Sequence, residues 1–137
     1  MNTIDLFKSL SEPVRLRLLH LLSNTEPELC VCDLVSVLDL PQGTISRHLM
    51  QLRLVGLVST RREGVWMYYS LAPAKTKAHA AMLNCLKCCF EDEPMLSQDL
   101  ERYVDLKKAK SLACCVPQNL QGRPVMPSTT PKVRAKV

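Results

Sequence analysis

Seven cysteines carry most of the chemistry in this sequence. They fall into three tight groups: Cys30 and Cys32; Cys85, Cys88 and Cys89; Cys114 and Cys115. Neighbours such as Cys114 and Cys115 cannot staple distant elements together, so this is not the spaced framework of a disulfide-rich secreted domain. Clustered thiols in a reducing compartment serve as soft ligands for a metal or metalloid, or as redox sensors. They also serve as small buried hydrophobes, and composition leaves both roles open. Cys85, Cys88 and Cys89 recur at i, i+3 and i+4, which sets three sulfurs on one helical face. Ala78, Ala81, Met82 and Cys85 continue an apolar stripe there, so packing in a dimer competes with ligation. A thiol reductase would need a nucleophilic Cys in an anion-binding loop with an Arg a few residues away. Neither Cys30-Val31-Cys32-Asp33 nor Cys114-Cys115-Val116-Pro117 offers that, and Cys85-Leu86-Lys87-Cys88 lacks the βαβ setting of a thioredoxin-type site. The sequence is therefore read as a non-enzyme.

The scaffold that positions these groups is small. The chain has 137 residues, 47% of them apolar, enough for one compact domain with a tail and too many for a wholly disordered chain. Only 4 glycines count against a Gly-studded β-sandwich. No apolar run reaches the roughly 18 residues of a membrane span, and MNTIDLFKSL lacks the basic patch and apolar stretch of a secretory signal. A cytoplasmic protein with no membrane partner is the expectation. The net charge of +5 is unevenly spread. Leu40 to Lys77 carries six basic residues against one acid; Glu91 to Asp105 carries six acids against one base. From Pro117 on there are four basic residues, four prolines and no acid, which reads as a disordered basic tail over 117–137.

The body reads as mainly α with one β-hairpin. Asn2 to Leu10 suits a short helix. Ser11 can cap a second helix, with Pro13 in its first turn and Val14, Leu18, Leu21 and Leu22 as a buried stripe. A short helix over Cys32 to Leu38 is broken at Asp39-Leu40-Pro41-Gln42-Gly43. Thr44 to Val55 follows and stops at Gly56. Ile45, Leu49 and Leu52 face inward, leaving Thr44, Arg47, His48 and Gln51 on the opposite face. LVSTRREGVWMYYSL alternates around Glu63-Gly64, the signature of a hairpin. Ala74 to Phe90 and Met95 to about Leu112 read as longer helices, the second with Leu96, Leu100, Tyr103 and Val104 inward.

Short helix, sharp turn, helix and basic hairpin make a winged helix-turn-helix, whose second helix lies in the DNA major groove. Residues 1–92 form that DNA-binding and sensing domain, 93–116 a C-terminal helix for dimerisation or sensing, and 117–137 the tail. On the recognition helix Arg47 suits a guanine edge, Gln51 an adenine edge and Thr44 a thymine methyl. Ser46, His48 and Arg53 suit phosphate or base, and Arg61 and Arg62, read at the hairpin tip, suit backbone phosphate. The partner is double-stranded operator DNA, with no cofactor required for binding it.

The segments LFKSLSEPVRLRLLHLL, ELCVCDL and QGTISRHLMQLRLVGLVSTRREGVWMYYSL resemble the ArsR/SmtB family of metal- and metalloid-responsive repressors, its arsenic-responsive branch above all. The resemblance covers about residues 4 to 90. It implies a cytoplasmic, dimeric, winged-helix repressor of an arsenic-resistance operon, released from its operator when As(III) or Sb(III) binds cysteine thiolates.

That branch carries thiols in the pattern C-V-C-D-L-C, and Cys30 and Cys32 match the first two. The third position is Val35. A C-x-C at a helix start places two sulfurs together where the helix dipole favours thiolate. The third thiol is open among Cys114, Cys115 and Cys89, and Cys85, Cys88 and Cys89 form an alternative set. Zinc or cadmium sensing would more often add His or carboxylate ligands. Of His20, His48 and His79 only His79 lies in the long helix where other branches of the family hold zinc, and it reads as a surface residue. The alternatives are a redox-sensing or Cd/Zn-sensing repressor of the same fold.

Overall fold

The structure, a computed structural model, describes residues 2–109 and Leu112. Cys114, Cys115 and the segment 117–137 lie outside the described residues. The order is α1 (Thr3–Leu10), α2 (Pro13–Asn24), β1 (Glu28–Cys30), α3 (Val31–Leu38), α4 (Gln42–Val55), β2 (Val58–Glu63), β3 (Trp66–Leu71), α5 (Lys77–Cys88) and α6 (Pro94–Lys108).

The core gathers around α2. Leu18, Leu19, Leu21 and Leu22 are buried against Leu34, Val37 and Leu38 of α3, Ile45, Leu49 and Leu52 of α4, and Met82 and Leu86 of α5. Each such leucine removed from water contributes about 1.5–3 kcal/mol before the cost of ordering the chain. Glu12, not Ser11, caps α2: its carboxylate accepts from the Arg15 backbone N–H at 2.9 Å. The Ser11 hydroxyl instead donates back to the Lys8 carbonyl at 2.8 Å and closes α1. Either residue type can cap, and the backbone path after α1 selects between them.

Asp39 ends α3 in the left-handed region (φ 58°), and Gly56 ends α4 there (φ 97°). These two stops set the angle between α3 and α4 and launch the chain into the hairpin. α4 begins at Gln42, two residues before the expected start, because Pro41 pre-sets the extended entry.

The hairpin is present, with its turn at Gly64-Val65. It is joined by a third strand that the sequence did not announce. β1 pairs antiparallel with β3, with Glu28 opposite Ser70 and Cys30 opposite Tyr68, giving the order β1-β3-β2. Three residues are too short to display a period of two, so β1 exists only because β3 offers it an edge.

The two C-terminal helices differ in detail from expectation. In α5 the inward residues are His79, Met82 and Leu86, while Ala78 and Ala81 are exposed. In α6 the inward residues are Leu96, Asp99 and Tyr103, and Val104 faces outward. A buried carboxylate took a place that a purely apolar stripe would not assign, because Arg17 of α2 waits for it there. Among the described residues no helix is long and apolar enough to cross a membrane.

Candidate DNA surface and thiol site

α4 turns one face wholly into the core through Ile45, Leu49 and Leu52. What remains outside is the surface a groove would meet. Arg47 and Arg53 are exposed, and Thr44 and Ser46 are half-buried. Ser46 Oγ lies 3.4 Å from Gln42 Nε2, from which it accepts a hydrogen bond. His48 and Gln51 are not simply outward. The Arg15 guanidinium donates to Gln51 Oε1 at 2.8 Å and to His48 Nδ1 at 3.4 Å. It also donates to the carbonyls of Ser9 and Lys8. Arginine has no acceptor, so the contact with Arg15 needs His48 Nδ1 to accept, and the Glu12 carboxylate stands 3.7 Å from the same nitrogen. Burial, with Arg15 and Arg47 nearby, lowers the His48 pKa, against a smaller opposing pull from Glu12. Arg15 thus ties α1, α2 and the recognition helix together. Sequence reasoning missed it, because its partners on α4 lie more than 30 residues away and no local spacing marks them.

The wing divides its arginines. Arg61 is not at the tip. It sits in β2 opposite Tyr68, stacks over that ring at 4.6 Å, and is paired with Glu28 of β1 and Glu63. Those carboxylates raise its pKa and occupy its donors. Arg62 points to the other face of the strand, is exposed and forms no ion pair among the described residues. Arg47, Arg53 and Arg62 are thus the exposed arginines of α4 and the wing with no ion pair among the described residues.

The thiols of Cys30 and Cys32 meet at the β1–α3 junction. Cys30 is the last residue of β1 and the N-cap of α3, and is 1% exposed; Cys32 is half-buried in the first turn. The hydrogen bond with the Cys32 thiol, burial and the Asp33 carboxylate push the Cys30 thiol well above its ordinary value. This opposes the helix-dipole expectation: the Cys32 hydrogen bond and desolvation together outweigh the partial charge of a two-turn helix. Val35 packs against the core. At the end of α5, Cys85 and Cys89 share a hydrogen bond, and Cys88 donates to the Asn84 carbonyl at 3.1 Å. Among the described residues no three His, Cys, Asp or Glu side chains converge to hold a metal ion.

His79 is not a surface residue. It is 0% exposed, and its Nδ1 accepts the Lys75 backbone N–H at 3.2 Å, which leaves a buried Nε2–H without a partner. Burial, then the Lys75 charge, lowers its pKa. The apolar i, i+3, i+7 series His79-Met82-Leu86 was the available signal.

A helix held rigid on one face and exposed on the other, set beside an antiparallel wing, defines a winged helix-turn-helix DNA-binding regulator rather than an enzyme. Residues 12–60 match the family described as "Bacterial regulatory protein, arsR family". "Arsenic resistance transcriptional regulator ArsR1" of Pseudomonas putida is 46% identical over 110 residues, 80% of this chain and 84% of that one. "Arsenical resistance operon repressor" of Escherichia coli is 50% identical over 70 residues, 51% of this chain and 59% of that one. Among solved structures, HlyU from Vibrio cholerae superposes with a TM-score of 0.53 at 36% identity, over 61% of this chain and 85% of that one. The chain belongs to the ArsR family of transcriptional regulators.

Proposed function

We propose that this protein is a cytoplasmic, arsenic-responsive repressor that binds its operator as a homodimer and leaves it when As(III) or Sb(III) is held by Cys30 and Cys32. The observation that carries the reading is the shared junction. The helix that supports the recognition helix begins at two hydrogen-bonded thiols. Arg47 and Gln51, with Thr44, read base edges in the major groove, while Ser46, His48, Arg53 and Arg62 set register on phosphates. Arg61 contributes through the wing only after exchanging Glu28 and Glu63 for phosphate. Ile4 and Phe7, each 62% exposed on α1, leave an apolar surface for a second copy to cover. DNA binding requires no cofactor.

Soft thiolates select a thiophilic centre, and a trivalent arsenic ion takes up to three of them. Cys114, Cys115 or Cys89 completes the set, and Cys85, Cys88 and Cys89 are the competing site. An inducer lowers operator affinity only to the extent that it prefers the shape that does not fit DNA. Drawing Cys30 and Cys32 onto one ion moves the α3 start, and with it the platform under α4. Operator gel shift against As(III), Sb(III), Cd(II), Zn(II) and peroxide tests this. Release by As(III) or Sb(III), lost in Cys30→Ser/Cys32→Ser, is the expected outcome. Release by Cd(II), Zn(II) or peroxide alone assigns the chain to a different signal.

A further inference from the structure

α6 lies outside the helix-turn-helix, yet it reaches both ends of the thiol segment. At one end Asp99, 4% exposed, takes two hydrogen bonds from Arg17, Nε to Oδ2 and Nη2 to Oδ1, both 2.9 Å. The same Arg17 Nη2 donates to the Leu38 carbonyl at 3.2 Å. Leu38 is the last residue of α3, and its carbonyl is one of the acceptors that a helix end leaves unpaired. At the other end the Tyr103 hydroxyl donates to Glu26 Oε2 at 2.9 Å, and Lys107 pairs with the same carboxylate. Glu26 stands two residues before β1 and four before Cys30. Leu96, one turn before Asp99, and Tyr103 itself are buried on α6.

A buried ion pair is a poor way to gain stability, since desolvation offsets most of the attraction. It is a good way to fix one geometry, because Arg17 satisfies Leu38 and Asp99 together only when α2, α3 and α6 are in register. In that register Cys30 is closed at 1% exposure while Cys32 is half-buried, so a reagent from solvent needs local opening to meet the Cys30 sulfur.

We propose that α6 is a clamp on the thiol segment, gripping its entry at Glu26 through Tyr103 and Lys107 and its exit at Leu38 through Arg17 and Asp99, so that ligand binding at Cys30 and Cys32 works against α6. Arg17, Asp99 and Tyr103 are positioning residues. They set the ligand concentration at which the thiols respond without touching the ligand. The clamp rests on the sensing role proposed for Cys30 and Cys32, but its mechanical part is testable without arsenic or DNA.

The experiment is alkylation of the full chain by iodoacetamide, followed residue by residue by peptide mass mapping, with hydrogen exchange of the α2 amides as a monitor of global opening. Asp99→Asn is expected to speed Cys30 alkylation about tenfold, the scale of losing a charge-assisted hydrogen bond. Cys88 and the α2 amides keep their rates. Arg17→Met/Asp99→Leu, which replaces the pair by apolar volume and protects against simple unfolding, has the same effect. Glu26→Gln has a smaller one, about twofold. An unchanged Cys30 rate overturns the clamp, as does a Cys30 rate that rises only in step with α2 exchange. In operator release, Asp99→Asn is expected to lower the arsenite concentration for half-release about tenfold, by linkage. A half-release concentration that stays put while Cys30 opens overturns the coupling. Arsenite that never releases wild-type protein, with Cys30 alkylation still under α6 control, removes the sensing role and leaves the clamp standing.

Discussion

The two thiol clusters within the described residues make an instructive pair. Cys30 and Cys32 sit where a strand becomes a helix, one closed in the core and one half-buried. Cys85, Cys88 and Cys89 sit at the last turn of α5, where Cys88 and Cys89 are exposed. By spacing alone the second cluster is the richer one, with three sulfurs on a helical face. By position it is the poorer, because a ligand at a helix end has little to move. A ligand at the β1–α3 junction meets elements that extend in three directions. β1 pairs with the wing through Cys30 and Tyr68, α3 carries the turn into α4, and α6 grips both ends. The contrast teaches that what a pair of thiols could move depends on what they are attached to as much as on how many sulfurs stand together.

The largest expected effect is on release. Cys30→Ser/Cys32→Ser should raise the arsenite concentration needed to release operator by about 100-fold or more, with operator affinity within about twofold. Cys85→Ser/Cys88→Ser, which keeps Cys89 as a candidate third ligand, should leave both unchanged. Anisotropy titrations of labelled operator decide between them, and the reverse pattern would make the α5 cluster the sensor.

Next in size is the cost of disturbing what lies under each cluster. Leu34→Ala, in the core beneath Cys30, should cost about 3 kcal/mol in urea unfolding. Leu83→Ala, half-buried on α5, should cost about 1 kcal/mol. Equal costs would erase the structural difference between the clusters.

Reactivity should separate them by roughly tenfold or more: Cys88 is alkylated from the native surface, and Cys30 only through local opening. Equal rates in native buffer would show the junction to be open.

The smallest effect is a pH slope. The folded-state Cys30 thiol is raised above its unfolded value, so the unfolded chain ionises first. The stability this supplies is full below the unfolded thiol value of about 8.5 and is lost as pH rises through the folded value. Wild type should therefore lose up to about 1.4 kcal/mol per pH unit between those two values relative to Cys30→Ser. Cys88 and Cys89 are also raised, but at the surface, and their replacement should barely change the slope. Parallel curves for wild type and Cys30→Ser would remove the distinction.

Much of this was legible in the chain. Val14 to Leu22, Ile45-Leu49-Leu52, the Gly56 stop and the Glu63-Gly64 alternation each carry a local period or a turn residue, and each produced the element it announces. Cys30 and Cys32 as a pair, and Arg47 as an outward residue, followed from the same spacing. Not legible were β1, the inward turn of Asp99, the capture of Arg61 by Glu28, and the hold of Arg15 on His48 and Gln51. All of these join residues far apart in sequence.

The amino-acid order by itself determined the helices, the hairpin and which thiols stand side by side, because period, caps and turn residues act within a few positions. Tertiary structure alone decided which of those thiols is closed, which arginines are taken up by carboxylates and which helix bonds to both ends of the 26–38 segment. Burial and ion pairing depend on what arrives from elsewhere in the chain. A carboxylate at position 99 is an ordinary surface residue until Arg17 stands 2.9 Å away.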